Sequence, residues 1–170
     1  SDLTEAKAAI LALKENTSLP VFCTMTFDDK GKTLTGSDAA VAAITLQSLG
    51  VDALGANCGL GPVQIYDIIK TMTETVEIPV MVQPNAGLPK LSGKEVVYDI
   101  TPDEFAGFMK KIAELGVSVV GGCCGTTPEY ISKTIKACNE IKPYINKNNS
   151  TYVTSYCKSV EIGNKPVIIG

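Results

Sequence analysis

The feature that most constrains this chain is an alternation of two patterns. Four short apolar runs rich in β-branched residues recur along it: "LPVFCTMTF" (19–27), "VDALGANCG" (51–59), "IPVMVQPNAG" (78–87) and "VSVVGGCCG" (117–125). Each is followed by a stretch with helical periodicity and its own start signal. Ser37 or Asp38 precedes the first, Pro62 stands in the first turn of the second, Thr101 with Glu104 forms a capping box for the third, and Thr127 opens the fourth. Gly50 and Gly116 are stop signals. A helix over 2–15, with Leu3, Ala6, Ile10 and Leu13 on one stripe, leads the series. Strands that are apolar along their whole length need cover, and parallel neighbours need a crossover between them; helices supply both. The fold class is therefore α/β, a parallel sheet of four βα units behind a leading helix. "LPKLSGKEVVYDI" (88–100) reads as a hairpin-like insert. The pattern stops after 142, where "KPYINKNNSTYVTSYCKSVEIGNKP" reads as linker plus one edge strand, and "PVIIG" (166–170) reads as a strand just beginning.

Composition narrows the function classes. With 45% hydrophobic and 19% charged residues in 170, the chain suits one globular domain. A net charge of -3 gives no electrostatic case for nucleic acid or an anionic membrane surface. No apolar run reaches the ~18–20 residues of a membrane span. "SDLTEAKAAILALKEN" has no basic n-region, so it is not read as a secretory signal, and a cytoplasmic protein with reduced thiols is expected.

There are six cysteines (Cys23, Cys58, Cys123, Cys124, Cys138 and Cys157) and no histidine. The lack of histidine excludes a Ser-His-Asp or Cys-His apparatus within these residues, and an imidazole-ligated zinc. Glycine, asparagine and cysteine gather at the C-terminal strand ends, in "TMTFDD", "GANCGLGP", "QPNAGLP" and "GGCCGTTP". That is the edge of an α/β sheet where ligands bind. Cys58 and Cys123 each close a strand there, with Cys124 next to Cys123. Successive strand side chains point to opposite faces, so the backbone has to leave strand geometry for both thiols to face one centre. Gly121, Gly122 and Gly125 supply that freedom. Three convergent thiolates match a zinc site with an open fourth position. A vicinal redox disulfide of Cys123 and Cys124, or plain core filling, are the competing readings. Cys23, Cys138 and Cys157 read as structural. "GLGP" and "GTTP" could cradle an anion at a helix start or be ordinary turns. Asn57, Asn85, Thr26 and Asp28 are either binding or turn residues.

"GANCG" followed by "GGCCGT" closely resembles the zinc-binding motifs of homocysteine methyltransferases, and "QPNAG" and "TPEYI" fit the same family. The resemblance extends over residues 1–142. "KPVIIG" is similar to the opening strand of the folate-binding module that follows the homocysteine domain in the cobalamin-dependent branch; betaine- and S-methylmethionine-dependent relatives fit less well. The resemblance implies that Cys58, Cys123 and Cys124 hold zinc, and that homocysteine takes the fourth position. Its sulfur would then attack a methyl group on methylcobalamin carried by another domain, giving methionine. Asn57, Gly59, Asn85 and Gly122 would shape the substrate pocket. The family fold is a (β/α)8 TIM barrel, typically ~250 residues and eight strands. This chain would therefore be its C-terminal half (1–142), with 143–170 as linker and first strand of the folate module. A half barrel has two open edges and an uncovered interior face, for which Cys23, Met25, Met81 and Val119 are the candidates. The missing N-terminal half-barrel or a second copy is then the expected partner. Two rivals follow: a structural zinc-binding fragment without turnover, and a thiol–disulfide protein using Cys123 and Cys124.

Overall fold

The computed structural model describes residues 2–93, 95–163 and 165–167. Helix α1 (Leu3–Asn16) starts at Asp2, whose carboxylate accepts hydrogen bonds from the Thr4 and Glu5 N–H groups. Four βα units follow: β1 (Phe22–Met25) with α2 (Ala39–Ser48), β2 (Ala53–Asn57) with α3 (Pro62–Thr75), β3 (Val80–Gln83) with α4 (Pro102–Ala113), and β6 (Val119–Val120) with α5 (Pro128–Cys138). The caps act largely as the side chains require. Asp38 accepts from the Val41 N–H, and Thr101 and Glu104 form both halves of a capping box. Thr127 sits at the N-cap of α5 but makes no side-chain capping bond.

The sheet is parallel with strand order β1-β2-β3-β6. A sequential order joined by right-handed crossovers puts the helices on one face. Register then sorts the strands by parity. Leu54 and Val80 pair, as do Met25 with Ala56, Ala56 with Val82, and Val82 with Val120. This row carries the buried core shared with Leu46, Ile65, Ile69, Met72, Phe105, Met109 and Ile112. The opposite row is Thr24, Gly55, Met81 and Val119, with Phe22 at its edge. Among the described residues no helix covers it, and Phe22 and Val119 are 60% and 41% exposed. Of the four residues expected on the uncovered face, Met81 and Val119 lie there. Cys23 and Met25 do not: Met25 is 1% exposed, and Cys23 packs against the helix-side core. Cys23 pairs with Leu54 and Met25 with Ala56, and paired residues of a parallel ladder share a face.

Two small antiparallel hairpins complete the chain. The insert between β3 and α4 is β4 (Pro89–Ser92) paired with β5 (Glu95–Tyr98), as its alternating sequence suggests. At the C-terminal end, β7 (Thr151–Thr154) pairs with β8 (Ser159–Ile162), so two strands stand where the sequence suggested one. Of the strand expected at 166–170, Pro166 and Val167 carry no regular structure and 168–170 lie outside the described residues.

The asparagine-rich stretch before β7 reads in the sequence as solvated, but it is tied to the sheet domain. The Asn146 amide donates to the Thr73 carbonyl, and the Asn148 amide donates to Glu74 and Thr75. These are the carbonyls that the end of α3 leaves without helical partners. The Asn148 N–H also reaches the Glu77 carboxylate at 2.6 Å. Beyond this stretch, Ser37 Oγ donates to the Tyr156 carbonyl at 2.7 Å. Asn148→Ala is expected to cost about 1–2 kcal/mol, the usual worth of losing such hydrogen bonds. Urea unfolding would measure it; an unchanged midpoint would mean that water replaces the amide at no cost.

Candidate metal centre

Cys58 follows directly on β2 and is held in an unusual conformation. Its φ is +57°, and it is the one non-glycine residue with positive φ among the described residues. Gly59 continues in the same region at +70°. The Cys58 N–H still completes the β2–β3 ladder, donating to the Gln83 carbonyl at 3.0 Å. The chain then reverses, with the Leu60 N–H on the Cys58 carbonyl at 2.7 Å. Left-handed backbone costs an L-residue roughly 1–2 kcal/mol, and here it turns Cys58 out of strand alternation.

Cys123 and Cys124 lie in the turn between β6 and α5. The Cys123 N–H donates to the Pro84 carbonyl, and the Cys123 carbonyl accepts from the Thr126 hydroxyl at 2.7 Å. Gly125 takes a φ of +80°. Gly122 serves space rather than dihedral freedom, since a Cβ there would come within 2.7 Å of Thr126 Oγ1. Asn85, 5% exposed, ties the two loops together. Its N–H donates to the Leu60 carbonyl at 2.9 Å, and its side-chain oxygen accepts from the Cys124 N–H at 3.2 Å.

The result is a cluster of three sulfurs whose Sγ atoms all lie within 4.8 Å of one another. Cys58 and Cys124 approach to 3.7 Å, and Cys123 and Cys124 to 3.9 Å. Zn–S bonds of ~2.3 Å at a tetrahedral angle put ligand sulfurs about 3.8 Å apart, so this donor set fits zinc. Cys58 and Cys123 are half-buried and Cys124 is exposed, which leaves one side open. Cys23, Cys138 and Cys157 take no part in the cluster.

The thiols are electrostatically unequal. Burial pushes Cys58 up, but hydrogen bonds from the Gly59 N–H, Cys124, Cys123 and Asn85 outweigh it, and its pKa is lowered. Burial, then Cys58 and Cys124, push Cys123 up to about 11. The cluster thus favours a first negative charge on Cys58, and Cys123 would have to give up a proton to act as a ligand.

Among the other residues singled out by sequence, Asn57 ends β2 opposite Gln83 and is half-buried. A Cβ on Gly59 would meet the Phe27 carbonyl oxygen at 2.7 Å, so this glycine permits a close approach of the first and second strand ends. A Cβ on Gly61 would lie 2.9 Å from the Gly87 Cα, giving the glycine in "GLGP" a packing role. Asp28 Oδ1 accepts from the Lys30 and Lys32 N–H groups and closes its own loop. One neighbour of the cluster was not singled out. Tyr98, on β5, rests its ring on Gly125, the residue after Cys124. The available signal was an aromatic residue on an insert at the ligand edge.

A model of the homocysteine S-methyltransferase family matches residues 1–138. The methionine synthase of Mycobacterium leprae is 37% identical over 183 residues, which cover 99% of this chain and 15% of that protein. That of Mycobacterium tuberculosis is 41% identical over 150 residues, covering 83% and 12%. The chain thus spans 12–15% of the length of these relatives. Among solved structures, the metallated form of the homocysteine methyltransferase MmuM from Escherichia coli superposes with a TM-score of 0.62 at 21% identity, over 78% of this chain and 40% of that one. Its oxidized form gives 0.62 at 23%, over 79% and 41%. At such identities the structural likeness concerns the fold alone. Among the described residues no helix is long and apolar enough to cross a membrane.

Proposed function

The chain belongs to the homocysteine S-methyltransferase family, and from that premise we propose that it carries the thiol-activating centre of a methionine synthase. The observation that carries this reading is the sulfur cluster, with spacings of 3.7 and 3.9 Å in a family defined by transfer to a thiol. Cys58, Cys123 and Cys124 hold zinc in a reducing, cytoplasmic setting. Zinc bound there supplies deprotonation of the homocysteine thiol, whose free pKa near 8.5 leaves it mostly protonated at neutral pH. The three protein thiolates bring three negative charges to the centre. They thereby offset the ion's pull on a fourth sulfur and preserve that sulfur's nucleophilicity. Asn57, Gly59, Asn85 and Gly122 shape the pocket wall, with Asn85 keeping the two cysteine loops in mutual register. No side chain has to act as general base. The methyl group comes from methylcobalamin on another domain, and the product is methionine.

Residues 1–142 form the C-terminal half of a (β/α)8 barrel, and 143–170 lead towards a folate-binding module. Four parallel strands, an uncovered sheet face and 40–41% coverage of a solved homocysteine methyltransferase support this. The face of Phe22, Thr24, Met81 and Val119 is then the barrel interior, covered by the missing N-terminal half or, failing that, by a second copy. The test is methyl transfer from methylcobalamin to homocysteine. The chain alone is expected to turn over negligibly, and addition of the N-terminal half-barrel to restore activity. Zinc uptake with no activity in the reassembled pair would favour a structural metal site instead. A folded monomer in light scattering at micromolar concentration, without the other half, would count against the open interior.

A further inference from the structure

The strand between the two cysteine segments carries a polar side chain onto the uncovered sheet face. We propose that Gln83 is a substrate-binding residue of the thiol centre: its side-chain amide hydrogen-bonds the amino-acid end of the thiol whose sulfur meets the cluster. This rests on the function proposed above and gives it a determinant of specificity outside the cysteine motifs.

Three observations carry it. First, Gln83 touches both sulfur-bearing segments, since β3 has β2 on one side and β6 on the other. Its carbonyl accepts from the Cys58 N–H at 3.0 Å. A Cβ on Gly121, just upstream of Cys123, would lie 3.3 Å from Gln83 Cγ and 3.7 Å from its Nε2, so the side chain reaches across to β6. Second, that side chain lies on the uncovered face. Gly55 pairs with Met81 there, and Asn57 with Gln83 continues the same row of the pleat. Val120 pairs with Val82 in the core row, which puts Gly121 on the uncovered face as well. The burial of β3 alternates accordingly: Val80 and Val82 are buried, whereas Met81 and Gln83 are half-buried. Third, the amide is uncommitted. Among the described residues no hydrogen bond engages the side chain of Gln83 or of Asn57.

A thiol held at the open side of the cluster has to send its carbon stem somewhere. The helix side of the sheet is filled with core. On the other face the row next to the cysteine loops is the amide pair Asn57 and Gln83. The row below it is Thr24, Gly55, Met81 and Val119, where Thr24 alone is polar. An ammonium and a carboxylate on the third carbon from the sulfur therefore meet amides before apolar surface. A glutamine amide offers donor and acceptor together, so it can serve either group without adding charge. Of the two amides, Gln83 has the longer side chain and the central strand.

The experiment loads the chain with cobalt(II), whose sulfur charge-transfer band responds to a further sulfur ligand, and titrates two thiols. Homocysteine carries the amino-acid end; 1-propanethiol has the same sulfur and stem without it. Cluster and amide belong to one chain, so no partner is needed, and the ratio of the two affinities is the readout. Gln83→Leu should weaken homocysteine by about 10–100-fold, the range for losing a hydrogen bond to a charged group, and leave propanethiol and cobalt affinity unchanged. Gln83→Glu keeps the size of the side chain and sets a negative charge against the carboxylate; it should weaken homocysteine at least as much and spare propanethiol. If Gln83→Leu loses its cobalt, a sign of damage to the fold, Gln83→Glu decides alone. An unchanged ratio, whether neither thiol or both are weakened, overturns the role of Gln83 and leaves the metal reading intact. A cobalt-loaded chain indifferent to homocysteine overturns the substrate as well, and a chain that takes up no cobalt overturns the metal reading with it.

Discussion

Replacing Cys58 with serine is expected to abolish stoichiometric zinc. The apparent binding energy of a four-ligand zinc site is roughly 10–16 kcal/mol, so one lost thiolate costs about 3–4 kcal/mol, or roughly 10²–10³-fold in affinity. Of the three cluster sulfurs, that of Cys58 is the one drawn from the β2 end; the other two come from one turn and would not enclose an ion by themselves. It is also the thiol whose pKa is lowered, the first to offer a charge. Serine has nearly the same size, so the left-handed backbone at this position should be tolerated much as before. The comparison is therefore one of chemistry rather than of folding. Cys138→Ser and Cys157→Ser are the controls, since neither residue belongs to the cluster. Metal analysis of the purified proteins, with chelator competition, decides the matter. A Cys58→Ser chain that kept one zinc per molecule would end the three-sulfur reading. A disulfide between Cys123 and Cys124 after mild oxidation, with no zinc in the unaltered chain, would revive the redox alternative.

The sequence makes the order of elements legible because each unit states itself locally. Apolar runs alternate with amphipathic stretches, and Asp38, Pro62 and Thr101 mark helix starts where they are found. The convergence of Cys58 with Cys123 and Cys124 is legible for a related reason: parallel strands bring their C-terminal ends to one edge, whatever their separation in the chain. The misreadings have equally physical sources. Met25 was assigned to the wrong sheet face although Thr24 and Thr26 alternate with it; its pairing with the buried Ala56 puts it on the helix side. Asn146 and Asn148 look like solvated linker because their partners, the carbonyls that end α3, lie more than 70 residues earlier. The contact of Tyr98 with the cysteine turn was missed since it depends on how the insert folds back across Gly125. Gly122 was read as a flexible joint, whereas it makes room for Thr126. In each case the missing information was a non-local contact.

Gly59→Val is expected to lower the melting temperature by about 4–20 °C and to remove any bound metal with it. Two independent costs meet at this residue. Its φ of +70° is a conformation that a β-branched L-residue adopts only at a cost of roughly 1–2 kcal/mol or more. Any Cβ would also stand 2.7 Å from the Phe27 carbonyl oxygen and 2.9 Å from Thr26 Cγ2. The first is backbone, and Phe27 is itself buried at 3% exposure, so the loop after β1 cannot move aside without disturbing core. Overpacking of this kind typically costs about 1–3 kcal/mol. Together the two give about 2–5 kcal/mol, and a chain of this size loses roughly 2–4 °C per kcal/mol. Local relief would come most easily by rotating the Cys58–Gly59 turn, which swings the Cys58 sulfur away from its partners. Gly107→Ala is the matched control. That glycine lies within α4, a Cβ there meets nothing within 4 Å, and its φ is not positive. Alanine should stabilise the helix by about 0.5–1 kcal/mol. The two substitutions thus carry opposite signs for reasons that can be read separately. If Gly59→Val melted with the unaltered chain and still held its zinc, the tight turn at the end of β2 would not be what aims Cys58 at the cluster.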